Sequence, residues 1–301
     1  MEEEPIEIIH FHSDGKLAPG LHLSRTDFAA SFNRVGVCAA EFPDVTVLAF
    51  DIEDTHFHFV LKCLRSRGWR MIALFTKMTH RYLFETREDG VFDGRVVFSE
   101  DIVDTDEYCQ NVCAYTIIQP TKDGQQIMPF DYPWGSGPLY FRSEKVVPVW
   151  LVDREGKVQT PVTIGSLTSR TRKQGFHTHK SLPDNWLVCN GLILPSNYVE
   201  TKHFESIFGT YNNYRYCLAR ANADEVKRRM AKSRGVSLPD IEMRRVCMEK
   251  CLQIFHKKKV QELNSMERLE LARLLRKQYM ISHAQLSRLV HMPLEEIERY
   301  I

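Results

Sequence analysis

Apolar positions in the first 120 residues follow two different periods, which predict both strands and helices. Strand-like apolar runs occupy residues 5–11, 45–50, 55–61 and 96–98, and helical spacing of apolar residues occupies 25–35, 67–85 and 105–118. Pro120 is expected to end the last helix, because proline lacks a backbone donor and disfavours a helical residue before it. Strands and helices in this order predict an α+β domain with an antiparallel sheet.

The remainder of the chain divides by composition into two parts. Residues 143–216 are rich in Thr, Ser, Gly and Pro and contain short strand-like pieces, which predicts a mixed connecting module of unknown role. Residues 217–301 are almost entirely helical in pattern, and they end in helices at 266–279, 283–290 and 294–301. We therefore predict three domains, at 1–142, 143–216 and 217–301, the last being an all-α, helix-turn-helix-like DNA-binding region.

Composition excludes several classes of protein. The 301 residues are 43% hydrophobic and 26% charged, which excludes disordered and collagen-like chains. The eight cysteines are dispersed along the chain, as is typical of reduced thiols, so we expect no structural disulfide. The acidic start and the lack of about 18 consecutive apolar residues predict a cytoplasmic protein with no membrane partner.

Charge is distributed unevenly along the chain. From Ala221 onward there are 17 Lys and Arg against 11 Asp and Glu, whereas the first 220 residues have 23 against 28. The basic excess indicates an anionic partner for the C-terminal part, such as duplex DNA, or simply a solvated helical face. The last helix is itself acidic, so basic residues before it would have to make most DNA contacts.

Three His-x-His pairs are candidates for metal binding: His10/His12, His56/His58 and His177/His179. In a strand, residues two apart share a face, so His56 and His58 can converge on one metal ion. Surface or cross-strand polar pairing is the alternative. The first pair could line the same site from a neighbouring strand, and the third lies in a polar stretch typical of a loop.

A tyrosine and a glutamine form the second candidate constellation. Tyr115 and Gln119 are one helical turn apart and therefore share a face. A phenol with a pKa of roughly 10 needs a metal or a base beside it to act as a nucleophile, and an amide oxygen can ligate that metal. Two imidazoles and an amide oxygen suit Mg²⁺ or Mn²⁺ acting on a phosphodiester. A tyrosine that only packs on the sheet is the alternative.

Three segments in this order and spacing carry a resemblance to a known family: His56-Phe57-His58, Tyr115-x-x-x-Gln119-Pro120-Thr121-Lys122-Asp123-Gly124 and Phe130-Asp131-Tyr132-Pro133-Trp134-Gly135-Ser136. Over residues 1–142 the chain resembles the REP-associated tyrosine transposases, members of the single-tyrosine HUH transposase superfamily. The family usually has Asn at the positions of Thr55 and Gln119, a small residue at Asp123 and Ser at Gly135. None of these departures removes a catalytic group.

The resemblance implies a ferredoxin-like sheet with helices on one face and an enzyme that nicks and rejoins single-stranded or hairpin DNA. It implies that His56, His58 and Gln119 hold Mg²⁺ or Mn²⁺ and that Tyr115 forms a 5′-phosphotyrosine link. Tyr108, on nearly the same helical face, is the alternative nucleophile. The implied setting is the bacterial cytoplasm, near the nucleoid, with the protein a monomer or a homodimer.

Two other functions are compatible with the same residues. A sequence-specific DNA-binding protein could keep the fold and lose cleavage, and a metal-dependent nuclease could use water in place of Tyr115. Between the two motifs, basic residues could hold a DNA backbone. The predicted nucleic-acid contacts are Arg65, Arg67, Arg70, Lys77, Arg81 and Lys122.

Overall fold

The computed structural model describes residues 4–18, 20–87, 94–122, 128–143, 145–178, 180–221, 240–279, 281 and 283–300. The chain divides into two compact units, Met1–Val226 and Lys227–Ile301. Among the described residues, every helix is too short or too polar to cross a membrane.

The first unit is mixed α+β and begins with alternating strands and helices. The elements are β1 (Ile6–Ser13), α1 (Arg25–Glu41), β2 (Thr46–Ile52), β3 (Phe57–Leu64), α2 (Arg65–Thr86), β4 (Phe98–Ile102) and α3 (Asp106–Lys122). The four strands form one antiparallel sheet in the order β2-β3-β1-β4. The predicted antiparallel α+β domain is therefore confirmed, although several elements begin or end a few residues from their predicted bounds.

Side-chain alternation gives this sheet two different faces. Phe11, Phe59 and Phe50 lie opposite one another on adjacent strands, and these aromatic rings point to one face. Phe75 of α2 packs on the ring of Phe59 at 5.1 Å between ring centroids, and Phe32 of α1 packs on Phe50 at 5.7 Å. We call this side the phenylalanine face, and α1 and α2 cover it.

The opposite side of the sheet, which we call the histidine face, carries His10, His12 and His58 and is covered by α3. The prediction that helices lie on one face is therefore wrong for α3. Hydrophobic spacing shows that a segment is helical and amphipathic, but it does not specify which of two sheet faces the apolar stripe covers.

Helix α3 also extends beyond its predicted end. Pro120 was expected to stop the helix, yet the helix runs to Lys122. Pro120 lacks only the donor for the carbonyl of Thr116, and the helix continues for just two residues beyond it, so the missing hydrogen bond affects only the C-terminal end of the helix.

Residues 143–216 belong to the first unit, so the predicted boundary at residue 142 does not separate compact units. The segment forms β5 (Val162–Thr163), α4 (Ser169–Phe176), β6 (Leu187–Cys189), β7 (Leu192–Ile193), α5 (Thr201–Phe208) and α6 (Tyr211–Arg220). Tyr140 stacks on Phe204 at 3.6 Å between ring centroids, and Trp150 donates a hydrogen bond to the carbonyl of Pro133. Elements this short cannot enclose a core of their own, so they bury their apolar side chains against α1, β2 and α3.

The second unit contains α7 (Asp240–Phe255), α8 (Ser265–Gln278), α9 (His283–Val290) and α10 (Leu294–Tyr300). The last three helices confirm the predicted helices at the C-terminal end. Because α6 packs in the first unit, the helical region begins later than the predicted residue 217. Its role in DNA binding remains a prediction.

Candidate active site

Polar side chains form a row across three adjacent strands on the histidine face. Asp51 of β2, His58 of β3 and His12 of β1 lie directly opposite one another in the antiparallel register. Directly opposed residues place their Cβ atoms about 5 Å apart, so these three side chains are neighbours. All three are buried.

His10 holds His58 by a hydrogen bond between their rings. Nε2 of His10 lies 2.9 Å from Nδ1 of His58, and the two rings are nearly parallel with centroids 5.2 Å apart. Burial, and secondarily the neighbouring His12, lowers the pKa of His10 well below its usual value. His10 is therefore neutral at physiological pH, and only one of the two facing nitrogens carries a proton.

The tautomer of this pair determines what His58 can bind. If Nδ1 of His58 donates to Nε2 of His10, then Nε2 of His58 presents a lone pair. Metal-bound histidines commonly use the second ring nitrogen in this way, donating its hydrogen to a neighbouring acceptor. In this tautomer, His10 would orient the imidazole of His58 for metal binding.

His56 is placed by the tight connection between β2 and β3. The amide of Glu53 donates to the carbonyl of His56 at 2.8 Å, and Oγ1 of Thr55 lies 3.3 Å from Nδ1 of His56. The rings of His56 and His58 have centroids 5.0 Å apart and are steeply inclined at 79°. Thr55, where the resembled family usually has Asn, therefore still contacts the first histidine of the pair.

Helix α3 brings Tyr115 to this cluster. The Tyr115 ring meets the His58 ring edge to face at 5.6 Å between centroids, and its side chain is only 4% exposed. Gln119 follows one turn later on the same helix and is also buried. The structure therefore brings His56, His58 and Tyr115 together, with Gln119 on the helix face that carries Tyr115. His56, which is half-buried, is the most accessible of the four.

Tyr108, the alternative nucleophile, contacts a different residue. Its hydroxyl donates a hydrogen bond to the carboxylate of Asp101 on β4, and Asp101 lies opposite His10 in the sheet register. Tyr108 is 1% exposed. Among the two tyrosines, Tyr115 is the one whose ring contacts a histidine of the predicted pair.

The predicted donor set for a divalent metal contains few ligands. Among the described residues, no group of three His, Cys, Asp or Glu side chains has an arrangement that could hold a metal ion. The predicted set is two histidines and an amide, and its amide has a buried nitrogen, Nε2 of Gln119, with no hydrogen-bond partner in the described parts of the chain. Rotation of this amide about its Cγ–Cδ bond would present the oxygen at the same place.

A glycine allows the Tyr132–Ser136 segment to approach the site. Gly135 forms an isolated antiparallel β-bridge with Asp51 on the edge strand β2. A Cβ atom at residue 135 would lie 2.5 Å from Oδ1 of Asp51. This contact gives a physical reason for glycine where the resembled family usually has serine. Sequence reasoning did not identify Asp51 as part of the site, although its place at the end of an apolar run could have indicated it.

The predicted DNA-binding residues of α2 lie away from this cluster. Arg65 pairs with Glu100, Arg67 with Asp44 and Arg81 with Glu85, while Arg70 and Lys77 are exposed. Because α2 covers the phenylalanine face, none of these five approaches the histidine face. The side chain of Lys122, as well as residues Asp123 and His179, lies outside the described residues.

The sequence matches no family model and no curated protein. Among solved structures, the chain is similar to a REP-associated tyrosine transposase bound to a REP hairpin. The two are 14% identical, the TM-score is 0.33, and the similarity covers 45% of this chain and 80% of that chain. A similarity this distant assigns no function to the present chain.

Proposed function

We propose that this chain is a metal-dependent transposase that cuts and rejoins single-stranded DNA at hairpin or repeat sequences through a phosphotyrosine link to Tyr115. One observation carries the proposal, namely that Tyr115 packs against His58 beside a second histidine, His56. The strand order β2-β3-β1-β4 with α1 and α2 on one face supports the ferredoxin-like core that the resemblance implies.

In the proposed reaction, the phenolic oxygen of Tyr115 forms a bond to the scissile phosphorus as the bond from phosphorus to the 3′ oxygen breaks. Tyr115 loses its proton, and the departing oxygen is protonated to a free 3′-OH. The reverse attack by a 3′-OH on the 5′-phosphotyrosine restores a phosphodiester and releases the tyrosine. Rejoining therefore needs no external energy source.

His56, His58 and Gln119 are the residues that would hold Mg²⁺ or Mn²⁺. A bound ion would polarise the phosphate and favour the phenolate over the phenol. The protein's own contribution is position: His10 orients His58, Thr55 contacts His56, and α3 sets the distance between Tyr115 and the pair. Such fixed placement is what lowers the entropic cost of an in-line attack.

The proposal is tested on a denaturing gel with end-labelled oligonucleotides that form hairpins with single-stranded flanks, including DNA that flanks the gene. Wild-type protein with Mg²⁺ or Mn²⁺ should give a protein-linked DNA band, which EDTA abolishes. Tyr115→Phe and His56→Ala should give none. Tyr108→Phe is the matched control and should keep the band, provided that circular dichroism shows it folded.

Other results would replace the proposal with a specific alternative. Cleavage by Tyr115→Phe without a covalent band would indicate a hydrolase that uses water. A covalent band lost in Tyr108→Phe and kept in Tyr115→Phe would assign the nucleophile to Tyr108. Binding of DNA without cleavage in either metal would favour a DNA-binding protein with no nuclease activity.

A further inference from the structure

A basic pocket lies between α1, α2 and α4, on the side of the sheet away from Tyr115. It has a volume of about 400 Å³, which is within the range of small-ligand sites. Five Lys and Arg side chains line it, against one carboxylate, that of Glu85. The five are Arg34, Lys77, Arg81, Lys173 and Lys180.

Arg34 is the residue that distinguishes this pocket from an ordinary basic surface. Its side chain is 2% exposed, and only Nη2 has a hydrogen-bond partner in the described parts of the chain, Oγ of Ser31 at 2.6 Å. Nε and Nη1 are buried without a partner there. Burial lowers the pKa of Arg34 to about 10, so the guanidinium remains charged at neutral pH.

No carboxylate among the described residues forms an ion pair with Arg34. Asp27, an acidic group close enough to influence Arg34, accepts hydrogen bonds from the backbone of Leu23 and Ser24, the Tyr82 hydroxyl and Arg87. The guanidinium instead lies over the Tyr82 ring at 4.7 Å. A buried charge with unpaired donors is costly unless an oppositely charged group completes its hydrogen bonds.

The cations at the rim differ in what they contact. Arg81 pairs with Glu85 at 2.7 Å, and Lys180 pairs with Glu41. Lys77 and Lys173 are exposed and form no ion pair with any described residue. His177 also lines the pocket and lies edge to face with Tyr82. An entering anion would therefore meet two uncommitted ammonium groups before it reaches Arg34.

We propose that this pocket binds a phosphate group, with Arg34 at its floor and Lys77 and Lys173 at its mouth. Guanidinium and ammonium groups together are the usual protein partners of phosphate oxygens. The phosphate belongs either to a free phosphate or nucleotide or to the backbone of a DNA strand. The pocket is separate from the Tyr115 site, and its occupancy does not depend on DNA cleavage.

Isothermal titration of the full chain tests the proposal, with three probes at constant ionic strength: orthophosphate, deoxyadenosine monophosphate and a single-stranded oligonucleotide. The variants are Lys77→Ala, Lys173→Ala and Arg34→Met. The matched control is Lys157→Ala, an exposed lysine outside the pocket that is paired with Glu155. Removal of one rim lysine should weaken phosphate binding by about tenfold, and Arg34→Met should abolish it.

The probe that responds identifies the source of the phosphate. A free-phosphate site would be supported if orthophosphate or the nucleotide binds wild type and if Lys77→Ala and Lys173→Ala, but not Lys157→Ala, weaken that binding. A DNA backbone contact would be supported if only the oligonucleotide binds and if the same two variants weaken its binding. Equal binding of every probe by wild type and both lysine variants, or no binding at all, would overturn the proposal even if Arg34→Met did not fold.

Tyr115→Phe separates this proposal from the proposed function. It should bind orthophosphate and the nucleotide as wild type does, because Tyr115 lies on the histidine face. Loss of the covalent DNA band with intact phosphate binding would leave the pocket assignment standing. Conversely, if the protein cleaves DNA but none of the three probes binds at this pocket, the proposed function would stand and the phosphate site would be contradicted.

Discussion

At the scale of single residues, the histidines of the sheet differ because burial and hydrogen-bond partners differ. His10 is fully buried and bonded to another imidazole, whereas His56 is half-buried beside a threonine hydroxyl. A His-x-His motif alone does not reveal these differences. His58 gains its orientation from a residue 48 positions earlier in the chain, which the folded sheet places on the adjacent strand.

This hydrogen bond leads to a prediction about His10. His10→Phe removes the hydrogen-bond partner of Nδ1 of His58, so we expect covalent adduct formation to slow by about 10- to 100-fold, the usual effect of removing a group that orients a metal ligand. The side-chain amide of His10→Gln can replace this hydrogen bond and should recover part of the rate. The measurement is the rate of the covalent band against Mn²⁺ concentration, and an unchanged rate in His10→Phe would show that this bond does not orient His58.

His22 gives a prediction about pH and stability. Burial lowers the pKa of His22 from 6.5 to about 4, although its Nδ1 lies 2.6 Å from the carbonyl of Glu53. His22 binds a proton more tightly in the unfolded chain than in the folded chain. The free energy of unfolding is therefore at its full value above about pH 6.5 and falls as the pH drops toward 4. The loss should approach about 3 kcal/mol.

Urea unfolding followed by tryptophan fluorescence between pH 4 and 7.5 tests this loss. All four tryptophans, at positions 69, 134, 150 and 186, lie in the first compact unit. His22→Gln should lessen the pH dependence, because glutamine does not titrate, while His10, whose pKa burial also lowers, still contributes to it. His256→Gln in the second unit should leave the dependence as in wild type. A slope in His22→Gln as steep as in wild type would assign the effect to other groups.

At the scale of elements, the interaction of the Tyr132–Ser136 segment with β2 depends on close backbone approach. The Ser136 amide donates to the carbonyl of Phe50, and the Ile52 amide donates to the carbonyl of Trp134. Tyr132 also donates its hydroxyl to the carbonyl of Ile52 at 2.6 Å. The segment therefore covers the edge strand next to the candidate site, which protects an otherwise open sheet edge.

Gly135→Ala should disrupt this edge. A Cβ atom would meet Oδ1 of Asp51 at 2.5 Å and the carbonyl oxygen of Phe50 at 3.2 Å, so the strand or the segment must shift. We expect a loss of about 1–3 kcal/mol of unfolding free energy, as for other overpacked sites. Urea unfolding by tryptophan fluorescence measures it.

Gly175→Ala in α4 is the matched control for this substitution. A Cβ atom there meets nothing within 4 Å, and the residue is helical, so the change should be neutral or slightly stabilising. Equal unfolding free energies for Gly135→Ala and wild type would contradict the close-approach explanation.

Element identity followed from the sequence better than element placement did. The periods of apolar residues predicted the four strands and three helices up to residue 122, because those periods reflect one buried face per element. They did not predict α4, α5 and α6. They could not indicate that α3 covers the face opposite α1 and α2. The pairing of His56 with His58 and Tyr115 was predicted from spacing and resemblance, and the sequence also allowed His10 and His12 to line the same site from a neighbouring strand. The position of Asp51 and the hydrogen bond between His10 and His58 depend on strand register, which local sequence does not determine.

At the scale of the whole molecule, the chain has separate cores for its two units. The sheet core includes residues of the 143–216 segment, such as Trp150, Phe204 and Tyr214. The core of the second unit is formed by residues from Met243 to Ile297, including the buried thiols of Cys247 and Cys251. Composition suggested a boundary where Thr, Ser, Gly and Pro become frequent, but burial of apolar side chains decides which segments fold together.

This division predicts that residues 1–226 fold without the rest of the chain, whereas residues 1–142 do not. The longer fragment contains the whole sheet core, and the shorter one exposes the apolar surfaces that α5 and α6 cover. Tryptophan fluorescence in urea should give one cooperative transition for residues 1–226 and a broad or absent transition for residues 1–142. Cooperative unfolding of residues 1–142 with an equal midpoint would restore the predicted boundary, because it would mean that α5 and α6 add little to the stability of the sheet.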